Sequence, residues 1–179
     1  NMNTNKAKTY VKICGITSVD QARQIAELGV DAIGIISVKD SPRYVSRQIK
    51  RKIFQYLKQF FPDIKRVSVI KNIPLGTLKQ NLINSDYENV IQLHGDEDEN
   101  YCRDFKKNID NIELWKAFRI KTKESIRQIL SYESFIDAIL LDSWSRDTYG
   151  GSGKRIEKRY LKDLKFNKSW FLAGGISIH

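Results

Sequence analysis

Residues 10–36 read YVKICGITSVDQARQIAELGVDAIGII, and the spacing of their apolar residues changes twice. The two ends, YVKIC and VDAIGII, are short β-like runs. The segment between them has helical spacing, with Ser18 as a candidate N-cap, Gln21 in the third position after it and Gly29 where a C-cap glycine belongs. A strand, a helix and a strand in this order predict a unit of a parallel α/β sheet.

The same alternation continues to the end of the sequence. Later β-like runs are IKRVSVI, NVIQL, IELWKAF, FIDAILL and SWFLA, and the helix-like segments include RQIKRKIFQYLKQFF, LGTLKQNLIN, DENYCRDFKKN, TKESIRQILSY and EKRYLKDL. Seven strands that alternate with helices of about ten residues predict an α/β fold. A (β/α)8 TIM barrel fits the short connections best, and a doubly wound open sheet is the alternative.

The predicted barrel lacks its last βα unit. After FLAGGISIH no residues remain for an eighth strand and helix, so we expect the natural protein to continue for about 25 to 30 residues. Residues 10–179 would then form a single (β/α) barrel domain that is incomplete at its C-terminal end, and residues 1–9 a flexible N-terminal tail.

Composition and charge exclude several classes of protein. The net charge is +10, but the lysines and arginines are spread along the helix-like segments and no nucleic-acid-binding module is recognisable, so we expect no nucleic-acid partner. The sequence has no apolar run of about 18 residues and no signal peptide, which predicts a cytoplasmic protein without a membrane partner. Its two cysteines, Cys14 and Cys102, are too few for a disulfide framework, and Cys102 is expected to pack inside a helix.

Reactive residues collect where the predicted strands end. In both parallel architectures, ligand sites form at the carboxyl ends of the strands. The residues at or just after those ends are Cys14, Lys39, Ser41, Arg43, Gln92, His94, Lys116, Arg119, Asp142, Gly174 and Gly175.

Cys14 and Asp142 are the candidates for proton transfer. Cys14 precedes a glycine and the start of a predicted helix, whose peptide dipoles would favour a thiolate, although a lone cysteine is commonly a small core residue. Asp142 ends an otherwise apolar strand, where it could hold and donate a proton or cap the following turn. The spacing alone leaves these roles open.

Two glycine-rich segments are candidates for binding a phosphate. The loop YGGSGK contains Gly151 and Gly153, whose backbone amides could approach an anion closely, although the spacing of a P-loop is absent. Gly174 and Gly175 follow the seventh strand, where barrel enzymes frequently bind phosphate. His94 is either a structural residue or a ligand contact, and the sequence has no metal-binding motif, so neither a metal nor a cofactor is expected.

The segments VKICGIT, SPRYVS, VIQLHGDE, WKAFRI, DAILLDS, YGGSGK and FLAGGI together resemble the successive signatures of the phosphoribosylanthranilate isomerase family, from Val11 to Ile176. The resemblance implies an isomerase of tryptophan biosynthesis and a small phosphosugar substrate. It implies an Amadori rearrangement of N-(5-phosphoribosyl)anthranilate to 1-(2-carboxyphenylamino)-1-deoxyribulose 5-phosphate. Members of the family occur as monomers and as homodimers, so both states stay open.

The resemblance also implies roles for single residues. The general base of the family falls on Cys14, its general acid on Asp142, and Arg43 would hold the anthranilate carboxylate with its guanidinium. The loop with Gly151 and Gly153 would close over the substrate. His94 would contact the substrate, and the amides of Gly174 and Gly175 would bind its phosphate.

Three segments depart from the pattern of the family. They are IISVKD after the second strand, IKN with Lys71 after the third, and RIEKRY after the glycine loop. Two alternatives therefore stay open: another phosphosugar isomerase or synthase barrel, and a diverged barrel that binds a phosphorylated metabolite without catalysis. The synthase needs catalytic lysine and glutamate residues, whereas the strand ends here offer cysteine and aspartate.

Overall fold

The computed structural model describes residues 10–83, 85–142 and 167–173. Strands and helices alternate along this part of the chain, as the sequence predicts, with one short 3-10 helix (Glu133–Phe135) before β6. The elements are β1 (Lys12–Cys14), α1 (Val19–Glu27), β2 (Ala32–Ile36), α2 (Arg47–Phe60), β3 (Lys65–Ile70), α3 (Leu75–Leu82), β4 (Val90–Leu93), α4 (Glu99–Asn108), β5 (Glu113–Arg119), α5 (Lys123–Tyr132), β6 (Ala138–Asp142) and β7 (Ser169–Ala173). The predicted N-terminal tail and the helix predicted at EKRYLKDL lie outside the described residues.

The ends of α1 form as the sequence predicts. Ser18 Oγ accepts a hydrogen bond from the backbone N–H of Gln21 at 3.2 Å, and the Gln21 side chain in turn accepts from the backbone N–H of Thr17 at 2.9 Å. Gly29 follows the helix with a φ of +80°, a left-handed conformation that glycine adopts without strain. These caps fix where the chain leaves β1 and where it enters β2.

The seven strands form one parallel sheet in the order β1-β2-β3-β4-β5-β6-β7. Each strand pairs with the next one along the chain, with a helix in each described connection from β1 to β6. A doubly wound sheet reverses its strand order at a switch point, so this alternative is wrong for the described strands. The prediction of an α/β fold with a parallel sheet is confirmed.

The two faces of the sheet carry different apolar clusters. One face, called the inner face here, holds the buried residues Ala32, Val67, Val69, Val90, Trp115, Ala138, Leu140 and Phe171. The opposite face packs against the helices through two larger clusters, which contain Phe54 and Phe105. Burial of each large apolar side chain contributes about 1.5–3 kcal/mol, so both faces stabilise the sheet.

The sheet is curled toward its inner face. The ring of Tyr10, just before β1, lies 5.4 Å from the ring of Phe171 on β7, measured between centroids. Phe171 also stacks on Trp115 of β5 at 5.0 Å. A contact between the residue that precedes β1 by two positions and β7 requires curvature, which makes the inner face concave.

Candidate active site

Cys14 is the last residue of β1 and a free, partly buried thiol. It packs against the inner-face cluster and pairs in register with Gly34 of β2. Helix α1 begins only at Val19, and the turn before it is tied to β2 because the N–H groups of Gly15 and Ile16 both donate to the carbonyl oxygen of Gly34. Helix α1 thus begins after Ser18, the N-cap that the sequence predicts, four residues beyond Cys14, and the charged side chain recorded beside the Cys14 sulfur is that of Lys12.

Gly34 leaves the space that the Cys14 side chain occupies. A Cβ atom built on Gly34 would lie 3.0 Å from Cys14 Sγ and 3.2 Å from Lys12 Nζ. Lys12 and Cys14 alternate along β1, so both belong to the inner face. The structure thus adds Lys12 to the site, and the period of two along VKIC is the sequence signal that could have found it.

Burial lowers the pKa of Lys12 because it disfavours the charged ammonium. Coulombic attraction and a side-chain hydrogen bond to Cys14 oppose this effect. The Lys12 ammonium and the Cys14 side chain therefore interact directly.

Arg43 lies in the loop after β2, yet its side chain reaches back to the end of β1. A Cβ atom on Gly15 would lie 2.5 Å from Arg43 Cδ and 2.9 Å from Nη1, and Gly15 has a φ of +85°. Only glycine satisfies both conditions without strain. The backbone N–H of Arg43 donates to Ser41 Oγ at 3.2 Å, and a β-bridge joins Ile36 to Tyr44. The structure thus places the Arg43 side chain against Gly15, the residue that follows Cys14.

Asp142 is the last residue of β6 and pairs in register with Arg119 of β5 and Ala173 of β7. By the alternation of a strand, position 142 falls on the same face as Ala138 and Leu140, which belong to the inner cluster. Residues 14 and 142 therefore end parallel strands at the same edge and on the same face of the sheet.

His94 follows β4 and is exposed at the same edge. Its backbone N–H donates to the carbonyl oxygen of Ile70 at 2.9 Å, which ties the end of β4 to the end of β3. The predicted phosphate-binding residues Gly151, Gly153, Gly174 and Gly175 lie outside the described residues.

A buried carboxylate organises the loop that carries His94. Glu97 accepts hydrogen bonds from the backbone N–H groups of Gly95 at 2.7 Å and Asn72 at 3.0 Å. Asn72, with a φ of +52°, accepts through its side chain from the N–H of Asp96 at 2.7 Å. The loops after β3 and β4 are therefore held as one unit.

Lys116 lies on the helix-facing side of β5, behind this unit. Its Nζ donates to the carbonyl oxygen of Gly95 at 3.2 Å and lies 3.9 Å from Glu97 Oε1 and 5.5 Å from the ring centroid of Phe118. Burial lowers the pKa of Lys116, and the charge of Glu97 opposes the shift. The sequence places Lys116 among the reactive groups at the strand ends, and this expectation is wrong. Lys116 instead supports the loop that carries His94.

Cys102 lies on α4 and is buried in the hydrophobic core, as expected from its position in a helix-like segment. Burial raises the pKa of its thiol to about 12. Among the residues that the structure describes, no cluster of three or more histidine, cysteine, aspartate or glutamate side chains is arranged to hold a metal ion. Within the same ranges, no helix has the length and apolar character needed to cross a membrane.

Comparison with known proteins decides the family. Residues 11–179 match the family described as N-(5'-phosphoribosyl)anthranilate (PRA) isomerase. The chain belongs to the PRA isomerase family. It is therefore an isomerase, and the pathway of the family is tryptophan biosynthesis.

Curated PRA isomerases are similar to the chain over most of its length. The protein of Trichodesmium erythraeum is 37% identical over 168 residues, which are 93% of this chain and 71% of the relative. That of Thermosynechococcus vestitus is 38% identical over 174 residues, which are 97% of this chain and 74% of the relative. The shared isomerase name favours this activity over the synthase and the non-catalytic alternatives.

Solved PRA isomerases share the fold. The Thermotoga maritima enzyme superposes with a TM-score of 0.73 at 30% identity, covering 94% of this chain and 78% of that chain. A PRA isomerase in complex with reduced 1-(o-carboxyphenylamino)-1-deoxyribulose 5-phosphate has a TM-score of 0.64 at 30% identity, covering 77% of this chain and 66% of that chain. Another Thermotoga maritima structure, with a TM-score of 0.64 at 31% identity, covers 75% of this chain and 64% of that one, and is described as monomers generated from a dimeric enzyme.

Proposed function

We propose that the chain converts N-(5-phosphoribosyl)anthranilate into 1-(2-carboxyphenylamino)-1-deoxyribulose 5-phosphate by an Amadori rearrangement. The family match and the ligand of the similar solved enzyme support this substrate. The single observation that carries the proposal is that β1 and β6 bring residues 14 and 142 to one edge and one face of the sheet. The carboxyl edge of a parallel sheet is where such enzymes act.

Asp142 acts as the general acid and Cys14 as the general base. Asp142 donates a proton to the ribose ring oxygen, the ring carbon–oxygen bond breaks, and a protonated Schiff base forms. The Cys14 thiolate then removes the proton from the second sugar carbon, which neutralises both charges and leaves an enolamine that tautomerises to the ketone. Each positioned proton transfer is worth about 10²–10⁴-fold in rate, and neither step uses a cofactor.

The remaining residues bind the substrate. Arg43 holds the anthranilate carboxylate, a role supported by its guanidinium beside the end of β1. His94 contacts the substrate from the β4 side. Gly151 and Gly153 close over the sugar, and Gly174 and Gly175 bind its phosphate through backbone amides.

We also propose that the complete fold is a barrel of eight βα units. The sequential strand order and the contact between Tyr10 and Phe171 support closure of the sheet between β7 and β1. The protein is expected in the cytoplasm as a monomer or homodimer, without a membrane or nucleic-acid partner.

Growth of a tryptophan auxotroph that lacks this isomerase tests the function. The full-length gene is expected to restore growth without tryptophan, because the pathway has no other step that supplies the ketose. The same gene with both Cys14→Ala and Asp142→Ala is the control and is expected to leave the strain dependent on tryptophan. Restoration by the double variant would refute the assignment.

A further inference from the structure

Two reactive side chains share the space above one glycine. Lys12 Nζ and Cys14 Sγ both lie within 3.2 Å of the point where a side chain on Gly34 would begin. Both residues belong to β1 and both face the concave interior. Lys12 is thus a charged residue beside an apolar cluster of the inner face.

Burial disfavours the charged form of Lys12, and the neighbouring Cys14 opposes this effect. An isolated ammonium in a partly buried position is costly, and burial accordingly lowers the pKa of Lys12. A negative sulfur beside it removes part of that cost, since the Coulombic and hydrogen-bonding effects of Cys14 both act in the opposite direction. A cation and an anion held against each other favour the charged form of both groups.

Among the side chains that the structure describes, Arg43 brings a further charge to the end of β1. Gly34 of β2 has no side chain, and the Arg43 side chain packs against Gly15, the residue after Cys14. Helix α1 begins at Val19, too far along the chain for its first N–H groups to replace these cations.

We propose that Lys12 is a positioning residue that keeps Cys14 in its thiolate form, by placing an ammonium group against the sulfur over Gly34. The inference rests on the proposed function only in that Cys14 is the base of the isomerisation. When the thiolate takes the proton from the second sugar carbon it becomes a neutral thiol, and the Lys12 ammonium keeps its own protons. Lys12 therefore acts through Cys14 and never bonds to the substrate.

The rate of alkylation by iodoacetamide, measured from pH 5 to pH 10, reports the thiolate directly, because sulfur displaces iodide only in its anionic form. The full-length protein would carry Cys102→Ala, so that Cys14 is the one thiol left among the described residues. Lys12→Met removes the charge and keeps an apolar side chain of similar length. We expect the rate at neutral pH to fall about tenfold and the midpoint of the profile to move to higher pH.

Two further variants separate the charge from its packing. Lys12→Arg keeps a cation beside the sulfur and is expected to restore most of the alkylation rate. Lys65→Met removes a lysine from the same face at the amino end of β3, where it is ion-paired with Glu113 at 2.6 Å, and should leave the profile unchanged. Profiles of Lys12→Met and the parent that coincide would overturn the inference.

Isomerase activity is measured on the same proteins to keep the two claims apart. If the parent isomerises phosphoribosylanthranilate but its alkylation rate does not depend on Lys12, only the proposed role of Lys12 is contradicted. A parent with no activity whose alkylation depends on Lys12 contradicts the proposed function and leaves the lysine–cysteine pair supported. If Lys12→Met does not fold, Lys12→Gln is used, with circular dichroism as the check.

Discussion

At the scale of single residues, the site depends on two glycines as much as on its reactive groups. Gly15 and Gly34 have no side chain, and each leaves room for polar side chains: Arg43 over the first, and Lys12 with Cys14 over the second. The sequence predicts Cys14 and Arg43 as site residues from their places after strands. It does not reveal the role of Gly34, because nothing in AIGII tells which neighbour crosses the glycine.

Gly34→Ala is expected to displace the Lys12–Cys14 pair. The new Cβ would lie 3.0 Å from Sγ and 3.2 Å from Nζ, a separation tighter than most real contacts, so both groups must move by a few tenths of an ångström. We expect a loss of roughly 1–3 kcal/mol in the free energy of unfolding and a fall in kcat/KM of about tenfold or more.

Gly76→Ala is the matched control for this change. No atom lies within 4 Å of the Cβ built on Gly76, which lies in the first turn of α3. Alanine there should raise the free energy of unfolding by up to about 1 kcal/mol and leave kcat/KM unchanged. Urea unfolding and steady-state kinetics measure both effects. A Gly34→Ala variant with normal activity and normal Cys14 alkylation would contradict the packing described here.

At the scale of elements, the periodicity of the sequence predicted where the strands form. It did not predict which side chains of the connecting loops are buried. The run SWFLA predicts β7 at the positions where it forms, and IELWKAF predicts β5 to within a residue at each end. The stretch DEDEN, residues 96–100, contains four consecutive acidic residues that composition alone does not distinguish. Glu97 nevertheless points inward to two backbone N–H groups, whereas Glu99 stays at the surface, and only tertiary contacts distinguish them.

Glu97→Gln is expected to loosen the loop that carries His94. The change keeps the shape of the side chain but leaves the buried Lys116 ammonium without its carboxylate, a loss of about 3–5 kcal/mol for a buried pair. The free energy of unfolding should fall by this order, and KM for the substrate should rise.

Glu99→Gln removes an acid of the same segment, in the first turn of α4, where its carboxylate accepts from Ser131 Oγ at 2.8 Å near the surface. This control is expected to change the free energy of unfolding by no more than about 0.5 kcal/mol. Equal losses in the two variants, measured by urea unfolding, would show that the buried pair with Lys116 does not hold the loop.

At the scale of the whole molecule, the sequence predicts the alternation of strands and helices, and the structure supplies the order and curvature of the sheet. Both a barrel and a doubly wound sheet give the same alternation, so spacing along the chain left the choice between them open. The pairing of each strand with the next excludes the doubly wound order for the described strands, and the contact of Tyr10 with Phe171 shows that the sheet curls. Curling brings Cys14 and position 142, far apart in the sequence, toward one interior.

The kcat/KM of the purified full-length protein, followed by the decay of phosphoribosylanthranilate fluorescence, tests most directly whether Cys14 and Asp142 transfer the two protons. We expect Cys14→Ala and Asp142→Asn each to lower kcat/KM by about 10²–10⁴-fold while the far-ultraviolet circular dichroism stays unchanged. A folded variant at either position that keeps the parental kcat/KM would contradict the proposed mechanism.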